Sequence, residues 1–532
     1  MKSSEVIETL GIIAKLMELH GENTFKTRAY TNAAFKLGKL RYDFENKTVE
    51  DIAAIEGIGK GLATKICELY ITGNTPDLKN LLERTPDGVV QMLSIKGLGP
   101  KKVRQLWLEL QCESIGELRY ACNENRLITL KGFGEKTQAA VLENINFKLA
   151  NSNKFHYATV EVPLKRLVEA IQNHSSAQVA IVGEMARKNE VIESVELLLD
   201  APLGIDVSEL EFMLPLPVTY HYCAPQEFVF RAVELSSSKT HLEQIKLNGL
   251  QSRSFTNESE VYSALNLQFV PAELREGLGE VELAQQNKLP ELLQYEDLQG
   301  ILHNHTTYSD GLDSLEEMAQ YCRELGYKYL GICDHSRSAA YAKGLTIERV
   351  IEQQAEIDKL NSAQSGFRIL KGIESDILSD GSLDYPHEVL KTFDFVVASV
   401  HSNLKMDEIK ATTRLLKAIE NPYTSILGHP SGRLLLARKG YPLDYRKIID
   451  ACAANKVSIE LNAHPYRLDL DWRWIPYCLE KGVMISVNPD AHHREGYHHM
   501  YYGVCAARKG RLHKKACLNA LSLEELLAFF QK

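Results

Sequence analysis

His303 and His305 stand one residue apart at the end of an apolar run, residues 298–302, so both rings fall on one side of an extended strand end. A carboxylate, Asp310, follows five residues later in a Ser-Asp-Gly turn. Imidazoles and a carboxylate converging in this way suit Zn, Mn or Fe better than Mg. The pattern then repeats downstream. The apolar runs 329–333, 367–373, 393–400 and 423–428 end in Asp334-His335, Glu374, His401 and His429. Residues 457–462 lead to His464, and 483–488 lead to Asp490 and His492. Helix-like periodicity fills the six intervals, as in 315–325, 347–360 and 407–419. Strands alternating with helices, with the chemistry at strand C-termini, follow the logic of a parallel α/β barrel.

From about Gly300 to the C-terminus the chain resembles the PHP domain, the polymerase-and-histidinol-phosphatase family of metal-dependent phosphoesterases. The resemblance implies a distorted (β/α)7 barrel that holds two or three divalent ions, Mn, Zn or Fe. The family's ligands carry over as His303, His305, Asp310, His335, Glu374, His401, His429, Asp490 and His492. Glu374 is expected to bridge ions, and Asp334 to orient a ligating imidazole from behind. Arg433 and Lys405 are candidate phosphate contacts, and His464 and His493 candidate supports of the ligands.

These residues need elements to position them, and the chain is long enough for several bodies. At 532 residues it exceeds a single core and suggests three or four domains. Hydrophobic content of 44% and charged content of 25% are ordinary for a globular protein. No apolar run reaches membrane-spanning length, the N-terminus lacks a signal-peptide core, and ten cysteines show no CxxC pairing. The expectation is a cytoplasmic protein with reduced thiols and no membrane partner.

The net charge of −9 gives no general affinity for nucleic acid, although residues 1–150 balance 21 Lys+Arg against 19 Asp+Glu. Any grip on DNA must come from local arrangement. Residues 55–61, 95–101 and 130–136 each read hydrophobic-x-Gly-hydrophobic-Gly before an amphipathic helix with basic residues. Gly57, Gly59 and Lys60 form the first copy, Gly97, Gly99, Lys101 and Lys102 the second, and Gly132 and Gly134 the looser third. Paired glycines allow a tight turn whose N–H groups point outward at a helix N-terminus, a ready phosphate site. The copies resemble the helix-hairpin-helix motif, which implies sequence-tolerant contact with the DNA backbone.

Residues 23–37 resemble the opening of the small amino-terminal domain of family X DNA polymerases. That resemblance puts Lys65 at the position of a Schiff-base nucleophile for a deoxyribose phosphate, with Lys60 as the neighbouring charge that activates it. Residues 179–199 are similar to the palm motif of the same family. Gly183, Arg187 and Glu190 are kept, but Glu184 and Ala186 replace a Ser and an Arg. Ser194, Glu196 and Thr219 stand where the family has three aspartates. Two-metal nucleotidyl transfer needs carboxylates from both strands, so Mg is not expected in this palm.

The organisation expected is a lyase-like helical domain over 1–85, a second hairpin region over 86–152 and a degenerate α/β palm over 153–235. A thumb-like region over 236–275, a linker over 276–298 and the PHP barrel over 299–532 complete it. The function implied is a DNA-binding metal-dependent phosphoesterase, a 3′→5′ exonuclease or 3′-end processing enzyme of DNA repair, acting on gapped, nicked or 3′-ended DNA. A gap-filling polymerase with 3′→5′ exonuclease and a small-molecule phosphatase resembling histidinol phosphatase are the alternatives.

Overall fold

The computed structural model describes every residue except Arg41, Glu124, Asn125, Asn248, Ser252, Gln364 and Lys532. The chain divides into two compact units, residues 1–152 and 153–532. Among the described residues no helix is long and apolar enough to cross a membrane.

The first unit is helical. Its longest helix, Ser3–His20, buries Val6, Leu10, Ile13, Leu16 and Met17 at helical spacing, and Gly21 ends it in the left-handed conformation. The same core takes in Tyr30 and Leu37 of Thr24–Leu40, Ile66 and Leu69 of Lys60–Thr72, and Val103 and Leu106 of Pro100–Leu110. It continues to Val141 and Ile145, so residues 1–85 and 86–152 share one hydrophobic interior.

The three glycine-rich turns share one backbone geometry. Gly57, Gly97 and Gly132 have φ of 86°, 88° and 88°, a region that strains any side chain with a Cβ. Gly59, Gly99 and Gly134 then serve as extended N-caps of Lys60–Thr72, Pro100–Leu110 and Glu135–Ala150. Between them Ile58, Leu98 and Phe133 are buried and anchor each turn to the core.

The second unit opens with a palm-like layer. Strands β1 (Phe155–His156) and β3 (Val191–Ile192) pair antiparallel. Strands β2 (Val179–Val182), β4 (Val195–Leu199) and β5 (Val218–Tyr222) form a sheet in which β4 and β5 run parallel. The helix Tyr157–His174 packs Val160, Leu164, Leu167 and Ile171 into the same core as β4. Residues 276–298, expected as a linker, are folded instead. Val281, Ala284, Leu289 and Leu292 join the core of Phe230, Val261 and Tyr262, and Leu293 joins that of the barrel. Burial of these apolar side chains holds the run in place, and Glu280, buried with them, is satisfied by His241 at 2.6 Å.

Seven parallel strands follow: β6 (Gly300–Ile301), β7 (Tyr329–Ile332), β8 (Arg368–Asp376), β9 (Phe395–Ser399), β10 (Thr424–Leu427), β11 (Ser458–Asn462) and β12 (Ile485–Asn488). They pair in chain order from β6 to β12. The seam between the first and last is stitched at both ends. At the C-terminal end His305 N donates to Ala491 O at 2.7 Å and Asp490 N to His303 O at 3.1 Å. At the other end the buried Asn519 donates to Gly300 O at 3.1 Å and accepts from Val487 N at 2.7 Å. The result is a nearly closed (β/α)7 barrel. Its interior is filled by Phe395, whose ring stacks on Phe530 of the C-terminal helix Leu523–Phe530. Gly331 and Gly372 make room for it, since a Cβ at either would lie 2.5 or 2.6 Å from the ring.

Strand β8 runs on past Glu374 to Asp376, because Glu374 and Asp376 stay in register with Val397 and Ser399 of β9. Glu374 and Asp376 therefore sit on the rigid ladder itself, two residues apart and on one face.

Candidate metal centre

The C-terminal ends of the barrel strands converge on Glu374, which is almost wholly buried. Its Oε1 lies 3.1 Å from His401 Nε2, 3.0 Å from His429 Nε2 and 3.5 Å from His303 Nε2. Its Oε2 lies 3.0 Å from His335 Nδ1 and 3.6 Å from His305 Nε2. Each oxygen faces its own set of imidazoles, the disposition of a carboxylate that can serve two ions at once. Asp490 Oδ1 lies 3.0 Å from His305 Nε2, and Asp310 Oδ1 lies 3.4 Å from His492 Nε2 and 3.7 Å from His335 Nε2.

Ligand atoms close enough to share an ion fall into three groups. They are His305 with Asp310, His335 and His492; His303 with His305 and Asp490; and His335 with Glu374 and His401. Among the described residues no other such group occurs. A test of fit comes from buried polar atoms: His303 Nε2, His335 Nδ1 and Glu374 Oε2 stand close to one another's residues without hydrogen-bond geometry, and His305 Nδ1 and His429 Nδ1 make no hydrogen bond either. Leaving such atoms unpaired costs about 1–3 kcal/mol each. A divalent cation accepts just this kind of donor set, imidazole nitrogen with carboxylate oxygen. His429 and Asp490 also hold positive φ, 21° and 52°, strain that clusters at functional sites.

The ionisation of the cluster follows from its crowding. Burial pushes His303 down, but Glu460, Glu374 and Asp490 outweigh it and hold the ring well above its ordinary range. Burial is likewise overcome at His401, pushed up to about 10 chiefly by Glu374 and Asp376. His305 has burial and the neighbouring His492 and His335 against it and falls to about 3. Glu374 and Asp490 remain ionised well below the usual carboxylate range despite burial, because imidazoles surround the first and His303 and Arg467 attend the second.

Two supporting carboxylates escaped the sequence analysis. Glu460 Oε2 lies 2.6 Å from His303 Nδ1, and Asp376 Oδ1 lies 2.5 Å from His401 Nδ1, so each fixes a ring from behind. Glu460 was visible only as a charge in the middle of an apolar run. Asp334, given that supporting role above, does something else. Its carboxylate accepts from Thr306 N, Thr306 Oγ1, Ser309 N, Ser309 Oγ and Gln353 Nε2, and none of these partners is an imidazole. Two nearby loop amides and their hydroxyls saturate it, so it shapes the turn that carries Asp310. Arg433, a candidate phosphate contact, is also engaged: it bonds Asp471 at 2.7 Å and the carbonyls of Arg467 and Leu468. The cation that does reach the cluster is Arg467, with Nη1 3.2 Å from Asp490 Oδ2.

In the palm-like sheet Glu196 and Thr219 lie opposite each other in the β4–β5 register. The Glu196 carboxylate accepts from Ser194 Oγ at 3.0 Å and faces His221 Nε2 at 2.9 Å. One carboxylate, already partnered, occupies the ground that the family motif gives to three.

In the helical unit Lys65 Nζ pairs with Asp77 Oδ2 at 2.5 Å, and Lys26 and Tyr30 bond the same carboxylate at 2.8 and 2.7 Å. Asp77 is the nearest charge to the Lys65 amine, in place of the Lys60 cation expected to activate it. Partial burial works against its ionisation, yet the bonds from Lys26, Lys65 and Tyr30 take Asp77 down to about 2. Its contribution to stability is therefore present above about 3.8 and is lost as pH falls through about 2. Solvent reaches this cluster and screens it, so Asp77→Asn should cost about 1 kcal/mol at pH 7 and progressively less below pH 4, read by urea unfolding of the chain across that range.

The hairpin glycines are exposed, as are Lys60 and Lys101, while Lys102 lies over the Phe133 ring at 5.4 Å. The third copy differs in carrying Glu135 in its first helical turn, where the first two carry Lys60 or Lys101 and Lys102. A carboxylate there competes with phosphate for the helix N-terminus.

Comparison with known proteins agrees with this architecture. Residues 1–75 match a helix-hairpin-helix domain, residues 89–145 a SAM-like helix-hairpin-helix tandem, and residues 302–464 the PHP domain. A protein of Acetivibrio thermocellus named a probable phosphatase is 30% identical over 202 residues, 36% of this chain and 78% of that one. A protein of Bacillus subtilis named DNA polymerase/3′-5′ exonuclease PolX is 33% identical over the full length of both chains. Helix-hairpin-helix modules, a palm-like sheet and a PHP barrel in one chain, with that end-to-end similarity, make this protein a member of the PolX family of bacterial family X polymerases with a C-terminal PHP domain.

Proposed function

We propose that the barrel hydrolyses phosphodiesters at DNA 3′ ends, as a 3′→5′ exonuclease or 3′-end processing enzyme of DNA repair in the cytoplasm, and that the palm adds no nucleotides. The observation that carries the reading is Glu374 with each carboxylate oxygen facing its own imidazoles among buried, unpaired donor atoms. The name of the Bacillus subtilis relative supports the direction of attack. Two or three Mn, Zn or Fe ions would be held by His303, His305, Asp310, His335, Glu374, His401, His429, Asp490 and His492. When bound, such ions supply Lewis acidity and the neutralisation of charge on the departing oxygen.

The chain's own groups do the rest. Glu460 and Asp376 lock the His303 and His401 rings so that one nitrogen of each faces Glu374. Arg467 presents N–H groups beside Asp490, where a phosphoryl oxygen can accept them. Tyr341, 70% exposed with its ring 5.9 Å from that of His335, offers a stacking face to a terminal base. The hairpin turns grip the backbone through their amides, with Lys60, Lys101 and Lys102 adding charge.

End-labelled gapped and 3′-ended DNA incubated with Mn tests the reading. The wild-type chain should shorten 3′ ends, excess chelator should stop it, and His303→Ala with His305→Ala should abolish it. Hydrolysis that survives in chelator would overturn the assignment. A second reading, phosphomonoesterase, is favoured by the relatives named probable phosphatases, and 3′-phosphate DNA in the same assay separates the two.

Binding should be sequence-tolerant and fall steeply with salt. Gly97→Val with Gly99→Val should weaken it about tenfold, because Gly97 sits at φ 88°. Affinity indifferent to salt and to this change, measured by fluorescence anisotropy, would exclude the turns as the grip. Lys65 carries lyase chemistry only once it leaves Asp77. Borohydride trapping on abasic DNA that survives Lys65→Ala would assign that chemistry to another amine.

A further inference from the structure

Two of the palm-motif residues that this chain keeps, Glu190 and Arg187, contact the barrel. Glu190, whose side chain is 14% exposed, accepts from Trp472 Nε1 at 3.1 Å through one oxygen and from Arg473 Nη1 at 2.9 Å through the other. Arg187 gives its carbonyl to the buried Lys509 Nζ at 2.8 Å. In the β1–β3 ladder beside Glu190, His156 lies 3.0 Å from Leu435 O and packs on the Tyr466 ring at 4.3 Å.

Most of these contacts fall on one barrel segment, residues 464–474, which follows β11. The segment has little regular structure and is tied to its neighbours by both backbone and side-chain hydrogen bonds. Leu435 N donates to Tyr466 O at 2.7 Å, and Ser431 N donates to Asp469 at 3.1 Å. It also delivers Arg467, 24% exposed, to within 3.2 Å of Asp490. Among the described residues no other Lys or Arg pairs with Glu374, Asp490 or Asp310. Beyond that one bond, the Arg467 guanidinium donates to no other described protein group.

We propose that the palm-like layer is a brace for the barrel: Glu190 and His156 are positioning residues that hold 464–474 so that Arg467 stands beside Asp490 with donors free for a DNA phosphoryl oxygen. The inference rests on the hydrolytic reading of the barrel. The segment's own bonds to β11 lie around Asp469 and Leu470, so contacts from the palm-like layer at Tyr466, Trp472 and Arg473 add to what sets where its side chains point. A guanidinium displaced by about 1 Å no longer meets a phosphoryl oxygen in its fork geometry. The Glu190 position thus serves the other end of the chain's chemistry.

The test uses the full chain with Glu190→Ala, His156→Ala, and each of these combined with Arg467→Ala. Hydrogen exchange at 464–474, metal content, and kcat and KM on a 3′-labelled oligonucleotide with Mn are read for every variant. Glu190→Ala should speed exchange at 464–474 at least tenfold and raise KM about tenfold, with kcat within about twofold and metal content unchanged. In the Arg467→Ala background the further rise in KM should vanish, since the brace acts through that side chain. Wild-type exchange and KM in Glu190→Ala would overturn the brace, as would an undiminished rise in the Arg467→Ala background. If Glu190→Ala does not fold, Glu190→Gln keeps an acceptor for Trp472 and loses the charge facing Arg473, and it should show a smaller shift of the same kind. An inactive wild-type chain that still shows faster exchange in Glu190→Ala would overturn the hydrolytic reading alone.

Discussion

Glu374→Gln will strip the barrel of most of its metal and cut hydrolysis on the order of 10³-fold. The amide keeps the shape of the side chain but removes the charge that five imidazoles surround. Removing a carboxylate that two ions would share would cost several kcal/mol of charge stabilisation, and each 1.36 kcal/mol is tenfold in rate. Metal per chain, measured by mass spectrometry after desalting, should fall together with 3′-end cleavage. A variant with full metal content and full activity would remove Glu374 from the mechanism. The same cluster sets a pH dependence. His303 and His401 are raised above the ordinary imidazole range and so hold protons at neutral pH in the metal-free chain. Loading must displace those protons, so metal affinity should weaken as pH falls from 8 to 6, and titration calorimetry in two buffers should show proton release.

The second large effect is a negative one. No nucleotide should be added to gapped DNA above background with Mg or Mn, even in a chain whose barrel is silenced by His303→Ala and His305→Ala. Nucleotidyl transfer holds two ions about 3.5–4 Å apart between carboxylates of facing strands. Here Glu196 faces Thr219 across the β4–β5 register and is already bonded to Ser194 and His221. One carboxylate with two partners is short of the charge such a site needs. Template-directed extension by the silenced chain would promote the gap-filling polymerase reading.

Much of the barrel could be read from the chain because its logic is local. A strand covered on both faces must be apolar throughout, so β7 to β12 appear as short apolar runs, and each ends where the barrel's mouth must be. His303 and His305 follow β6, and His335, Glu374, His401, His429, Asp490 and His492 stand at or near the ends of the later strands, so their convergence follows from the topology. The hairpin turns were equally legible, since a positive φ at Gly57, Gly97 and Gly132 is written into residue type.

Tertiary structure decided what depends on partners distant in sequence. Nothing near Glu460 announces that it will meet His303, 157 residues away, and Asp334 looks like a support for its neighbour His335 until Thr306 and Ser309 close around it. Arg433 and Arg467 are alike as sequence, yet one is consumed by Asp471 and backbone carbonyls while the other reaches Asp490. Glu190 reads as a relic of a palm motif, and only packing against Trp472 and Arg473 gives it a use. The residue type alone determines which atoms a side chain can offer. Which groups are buried opposite those atoms, and so which charges must be neutralised there, is settled only when the β6–β12 seam closes and the palm-like layer packs against the barrel.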